Sequence, residues 1–386
     1  MEDSVICLEP LVIEANRSWA DCPRDLLSLI LSRLFRGDRC NFKLVCKSWN
    51  LICTVPPSIP PAIDSQEFDS PCLMIPQRRS CSWKVFHSLC NDFYDLDFPE
   101  LVDAKIVYSK HGWLLMYKRK YTLFFFNPFT KEKIEIEPLD VPFELPSSIC
   151  FTSPPTSSDC IVCGIESVNN LVAFRFIKVG DERWRVRFFD NNDEYFFMSN
   201  CPMVFLNGVC YCSDYKFRNI IIYGFMEDEY DVIQFDKCND GEEEKDYKPP
   251  TSRGICVDLD ESKPPTAFES YMVEVDGDIW GVFITGNNRR VSVQKLDTSK
   301  GHWIELESLG DKCLYIGTGG SFAETCSVGG MTNKIYFDKF HGNSGVMYSL
   351  TTGMYYSVGE SFVSKEAYEL SEVDYGVWVK PTLQTV

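Results

Sequence analysis

Histidine is scarce. There are four, His87, His111, His302 and His341, in 386 residues, which leaves few imidazoles for acid–base work near neutral pH. The chain also lacks a Gly-x-Ser-x-Gly nucleophile elbow, a His-Glu-x-x-His zinc motif, a phosphate-binding Gly-x-x-x-x-Gly-Lys and a dinucleotide fingerprint. Gly317-Thr318-Gly319-Gly320 is glycine-rich but sits in strand-and-turn sequence with no helix after it, so it reads as a turn. No apolar run approaches the roughly 20 residues of a membrane span. Glu2 and Asp3 stand where a signal peptide needs positive charge. The expectation is a chain of the cytosol or nucleus with no membrane contact. Basic charge is short as well: 38 Lys and Arg face 56 Asp and Glu, a net charge of -18. Such a surface repels a phosphate backbone, so no nucleic-acid binding is expected.

Apolar and aromatic material is plentiful, at 45% hydrophobic and 14% aromatic, with 28 Phe and 18 Tyr. That composition sustains a core and leans towards strands, because ringed side chains suit a pleated, half-buried surface. The 18 cysteines belong to a reducing compartment and are expected as thiols. Cys160-x-x-Cys163 and the pair Cys210 and Cys212 lack a second ligand pair at finger-like spacing. Buried thiols on strands are expected there, with no metal and no other cofactor.

The chain divides at Val55-Pro56-Pro57-Ser58-Ile59-Pro60-Pro61, a proline-rich linker assigned to residues 55–62. Before it lies a helical head, 17–54, with seven basic residues against three acidic ones. Asp21 is the expected N-cap and Pro23 suits the first turn. Leu26, Leu27, Ile30, Leu31 and Leu34 then recur at helical spacing. Gly37 ends that helix, and Val45, Cys46, Trp49 and Leu51 supply further apolar faces. About forty residues cannot bury all of this alone, so a partner is implied.

Trp19-x-x-Cys22-Pro23-x-Asp25-Leu26-Leu27-x-x-Ile30-Leu31-x-x-Leu34, followed by Leu44-Val45-Cys46-Lys47-Ser48-Trp49, resembles the F-box. Two positions depart from the pattern: Cys22 replaces the usual Leu, and Asn50 follows the Trp where Arg is common. The resemblance implies docking on a Skp-family adaptor, with cullin and RING subunits reached through it. The contact residues it implies are Pro23, Leu26, Leu27, Ile30, Leu34, Val45 and Trp49.

Residues 63–386 read as short β-rich runs between turn signals. Asn207-Gly208 and Asp276-Gly277 carry hairpin signatures, and Asn127-Pro128-Phe129-Thr130 is a turn between aromatic runs. A loose period of about 40–50 residues over about 300 gives a β-propeller of roughly six or seven blades. A pair of sandwich domains is the alternative all-β architecture. The order of Asn127-Pro128-Phe129-Thr130, Tyr271-Met272-Val273-Glu274, Ser308-Leu309-Gly310-Asp311 and Asn333-x-Ile335-Tyr336-Phe337 resembles the C-terminal half of plant F-box proteins of the KIB type. The fold class is thus mainly β, a small α-helical F-box followed by a propeller. Function follows from the resemblance: a non-catalytic substrate receptor of an SCF-type ubiquitin ligase, with an unknown target on the propeller. The alternatives are an F-box scaffold outside any ligase, or a propeller enzyme such as a glycosidase with paired carboxylates. The acidic stretch 227–246 reads as a solvated loop between strands, with a site for a basic partner as its functional alternative.

Overall fold

A computed structural model of the chain describes residues 19, 22–33, 45–49, 70–77, 80–88, 92–118, 122–139, 146, 148–168, 171–190, 201–214, 219–225, 229–234, 269–285, 290–326, 332–341, 344–358 and 376–381. The chain forms two compact units, 1–68 and 69–386. The proline-rich linker lies outside the described residues, as do Asp21, Leu34 and Gly37. In the first unit the expected helix is α1, Arg24–Arg33.

The second unit is built from sheets laid down in chain order, their strands antiparallel apart from one parallel pair in the sixth. β1 (Cys72–Pro76), β2 (Ser82–His87) and β3 (Asp92–Asp97) begin blade one. Blade two is β4 (Lys105–Lys110), β5 (Trp113–Lys118), β6 (Thr122–Phe126) and β7 (Lys133–Glu135). Blade three is β8 (Ser148–Phe151), β9 (Ile161–Val168), β10 (Leu171–Lys178) and β11 (Arg185–Asp190). Blade four is β12 (Val204–Leu206), β13 (Val209–Ser213), β14 (Asn219–Gly224) and β15 (Glu229–Gln234). Blade five is β16 (Glu269–Val275), β17 (Asp278–Thr285), β18 (Arg290–Asp297) and β19 (His302–Leu306). Blade six holds β20 (Lys312–Ile316), β21 (Phe322–Thr325), β22 (Lys334–His341), β23 (Ser344–Ser349) and β24 (Met354–Ser357). Last comes β25 (Val377–Val379), which pairs with β1 and completes blade one.

Among the described residues there are therefore six sheets, five of four strands and one of five. The inner strands neighbour one another in sequence: β25 with β4, then β8, β12, β16 and β21. That ring, shut by β25 returning to blade one, is a six-bladed propeller and replaces the sandwich alternative. Ring closure packs the last blade against the first, and each blade keeps only a short outer edge strand.

Local sequence sets the turns. Asn207 and Gly208 have φ of 51° and 85°, and Asp276 and Gly277 have 50° and 86°. Each pair is a two-residue loop closing a hairpin, Leu206 against Val209 and Val275 against Asp278. Positive φ at both positions matches the right-handed strand twist. His111 and Gly112 do the same between Lys110 and Trp113, with φ of 52° and 76°. The expected turn after the Phe124–Phe126 run is held by Asn127, whose buried side chain accepts from the Phe129 and Thr130 amides at 2.9 and 3.1 Å.

The core lies between blades rather than at one centre. Phe125 and Phe151 join blades two and three edge-on at 5.0 Å, and Phe174 stacks on Tyr223 between blades three and four at 4.6 Å. Tyr315 stacks on Tyr336 within blade six and meets Trp378 of the closing strand, both at 4.8 Å.

Candidate partner-binding surfaces

The head presents an uncovered apolar face. Pro23 opens α1, and its carbonyl accepts from the Leu27 amide at 3.0 Å. Leu27 is 1% exposed, whereas its neighbour Leu26 is 52% exposed and Leu29, three residues on, is 51% exposed. Residues three apart share a helix face, so Leu26 and Leu29 form one stripe. Val45 and Trp19 are also exposed. Trp49 lies edge-on to Trp19 with ring centroids 6.5 Å apart, and its indole N–H donates to the Trp19 carbonyl at 3.2 Å. Large apolar side chains left exposed in so small a unit mark a surface that gains free energy when covered.

Of the residues expected to meet an adaptor, Pro23, Leu26 and Val45 are exposed, Ile30 and Trp49 half-buried, and Leu27 buried. Leu34 lies outside the described residues. Trp19 and Leu29 were not among the expected contacts. Leu29 follows from Leu26 by the three-residue helical step, a signal the family pattern masks.

The propeller offers less obvious chemistry. Of the acidic stretch 227–246, the residues 229–234 are not loop but β15, the outer strand of blade four. Tyr230 and Val232 face the core while Glu229 and Asp231 face out, the two-residue period of a strand. Glu242, Glu243 and Glu244 lie outside the described residues. Arg185 and Arg187 are exposed on the edge strand β11, and Arg185 meets Asp181 at 3.2 Å. The Gly317-Thr318-Gly319-Gly320 segment is the tight turn between β20 and β21. Asp338, 1% exposed, accepts from the Thr318 amide at 3.0 Å, and the Gly319 carbonyl accepts from the Ser109 amide at 2.7 Å. Burial lifts the Asp338 carboxyl to about 6. Beside it, Lys339 of blade six reaches Glu269 of blade five at 3.3 Å.

Cys150, Cys160, Cys163, Cys210 and Cys212 are buried thiols on or beside strands of blades three and four. Burial raises Cys160 to about 11, and it raises Cys163 and Cys212 as well. Thiols held protonated are poor ligands and poor nucleophiles. Among the described residues, no three His, Cys, Asp or Glu side chains are placed to hold a metal, and no helix is long and apolar enough to cross a membrane.

Residues 85–357 match the KIB1-4 beta-propeller family, which covers most of the chain. The chain belongs to this family. Residues 19–59 match the F-box domain, so an F-box precedes the KIB1-4 propeller. The F-box protein At3g56470 of Arabidopsis thaliana is 26% identical over 97% of this chain and 91% of its own length. The F-box/kelch-repeat protein At1g57790 of the same plant is 29% identical over 88% of each. Solved structures align loosely: apo AztD from Citrobacter koseri gives a TM-score of 0.37 at 9% identity, over 81% of this chain and 99% of AztD. The propeller assignment rests instead on strand pairing and on the family match. An F-box implies a Skp-family adaptor as partner, and the exposed side chains of Trp19, Leu26, Leu29 and Val45 fall inside the F-box match.

Proposed function

We propose that the protein is the substrate receptor of an SCF-type ubiquitin ligase. Its F-box docks on a Skp-family adaptor, which links it to cullin and RING subunits, while the KIB1-4 propeller holds a target protein. The observation that carries this is the exposed apolar stripe on a domain too small to leave it bare. The receptor acts by proximity: it raises the concentration of target lysines near a ubiquitin-loaded conjugating enzyme and performs no bond chemistry itself. Such assembly belongs in the cytosol or nucleus. The adaptor contact is assigned to Pro23, Leu26, Leu29, Val45 and the Trp19–Trp49 pair, with Ile30 and Leu34 continuing it and Leu27 supporting it from within.

Co-purification of the full chain with a Skp-family adaptor tests this. Leu26→Asp together with Val45→Asp places two charges where an apolar partner would desolvate them. Both positions are exposed, so the head keeps its own packing. The expected outcome is loss of adaptor with an unchanged unfolding profile for the propeller. Full retention of adaptor by this double variant refutes the assignment.

A further inference from the structure

Two cysteines of blade six stand apart from the buried thiols of blades three and four. Cys313 lies on β20 and Cys326 directly follows β21, the strand that pairs antiparallel with β20. The Cys326 amide donates to the Asp311 carbonyl at 2.8 Å, which extends the ladder by one more step. Cys313 faces Glu324, so Cys326 is its diagonal neighbour on the same side of the sheet. Their sulfurs are 2.7 Å apart. The chain separation is 13 residues, a hairpin already closed by its own hydrogen bonds, so bridging needs little backbone movement. The two thiols are also unequal. Cys313 is 1% exposed, whereas Cys326 is only half-buried at the end of its strand.

We propose that Cys313 and Cys326 form a peroxide-responsive dithiol, Cys326 being the residue attacked first and Cys313 the one that resolves it. The Cys326 thiolate attacks one oxygen of hydrogen peroxide. The O–O bond breaks, hydroxide leaves and is protonated to water, and Cys326 becomes a sulfenic acid. Sγ of Cys313 then attacks Sγ of Cys326. The Cys313 proton goes to the departing hydroxide as the second water, and the S–S bond forms. Two thiols lose two electrons in all and one peroxide gains them. The environment divides the roles in the same way. The hydrogen bond with Cys313 lowers Cys326, which is therefore oxidised first; the same contact and burial raise Cys313, which gives up its proton only as the departing hydroxide takes it. The product ties β21, the inner strand of blade six, to β20. β21 neighbours β16 of blade five, so the bond fixes one segment of the inner ring.

Peptide mapping of the full chain after limited hydrogen peroxide reads this directly. The expected result is a linked peptide pair carrying Cys313 and Cys326, lighter by two hydrogens and split by dithiothreitol. In Cys313→Ser the sulfenic acid on Cys326 persists and is trapped by dimedone. In Cys326→Ser, Cys313 takes no dimedone. Sulfinic or sulfonic acid on Cys326 of the wild-type chain with no linked pair overturns the proposal. So does a bridge from either cysteine to a third. The wild-type map needs no variant, so a misfolded serine variant leaves the test intact.

Discussion

Asp338 is buried and His111 partly buried, and the shifts of these two titratable groups oppose one another. Burial lifts Asp338 to about 6. Burial, then the Lys110 charge, lowers His111 to about 4. For Asp338 the folded state holds a proton that the unfolded state has released between pH 4 and 6. Its contribution therefore falls as pH rises through that window, by about 3 kcal/mol. For His111 the unfolded state holds the proton between pH 4 and 6.5, so stability rises with pH by a similar amount. The two slopes nearly cancel in the wild-type chain. Asp338→Asn keeps an oxygen for the Thr318 amide and should expose the His111 slope, with urea midpoints rising from pH 4 to 6. His111→Asn suits the left-handed backbone at φ 52° and should expose the opposite slope. Parallel pH profiles for the two variants would assign the shifts wrongly.

Blade six departs from the four-strand plan at the scale of the element. β20 pairs parallel with β22 and antiparallel with β21, which places the β20–β21 hairpin on the inner side of the sheet. The hairpin depends on Gly320, whose φ is 121° and whose added Cβ would lie 2.6 Å from the Ser109 carbonyl oxygen of blade two. Backbone cannot yield there as a flexible side chain could. Gly320→Ala should cost on the order of 2 kcal/mol or more, from strain and overpacking together. A urea midpoint within error of wild type would show that the turn can move away from blade two. In the F-box, the element-scale result is the split of α1 into a buried Leu27 and an exposed Leu26 and Leu29. Leu27→Ala should therefore loosen the head and weaken the adaptor through folding, measurable as a lower melting point of the isolated adaptor complex, whereas Leu29→Ala should weaken binding alone.

For the whole propeller, closure is the deciding contact. β25 supplies the inner strand of blade one, its Trp378 is 1% exposed, and the Trp378 carbonyl accepts from the Ser109 hydroxyl at 2.9 Å. Ser109 thus bonds to blade one through its side chain and to blade six through its amide. Trp378→Ala should destabilise the propeller by about 3–5 kcal/mol, and ending the chain before Gly376 should abolish cooperative unfolding. A truncated chain that still melts sharply would mean the ring holds without its closing strand. Residues 69–386 expressed alone should fold and lose the adaptor, because the head is a separate compact unit.

The amino-acid sequence determined what depends on neighbours along the chain. Asn207-Gly208 and Asp276-Gly277 specify their turns because few residues tolerate positive φ. The head helix follows from spacing, whereas the F-box and the choice of a propeller over sandwich domains also drew on a family resemblance; neither source reports contacts. Blade number could be narrowed only to six or seven, since the decisive pairing joins β1 to β25, about three hundred residues away. The same limit hid the division of α1 into core and surface, because Leu26, Leu27 and Leu29 are chemically alike and differ only in what covers them. It also turned part of an acidic run into a strand, since charge shows an outward face but not whether the inward face is covered. Burial, closure and the meeting of Cys313 with Cys326 are properties of the packed chain, where distance in space replaces distance in sequence.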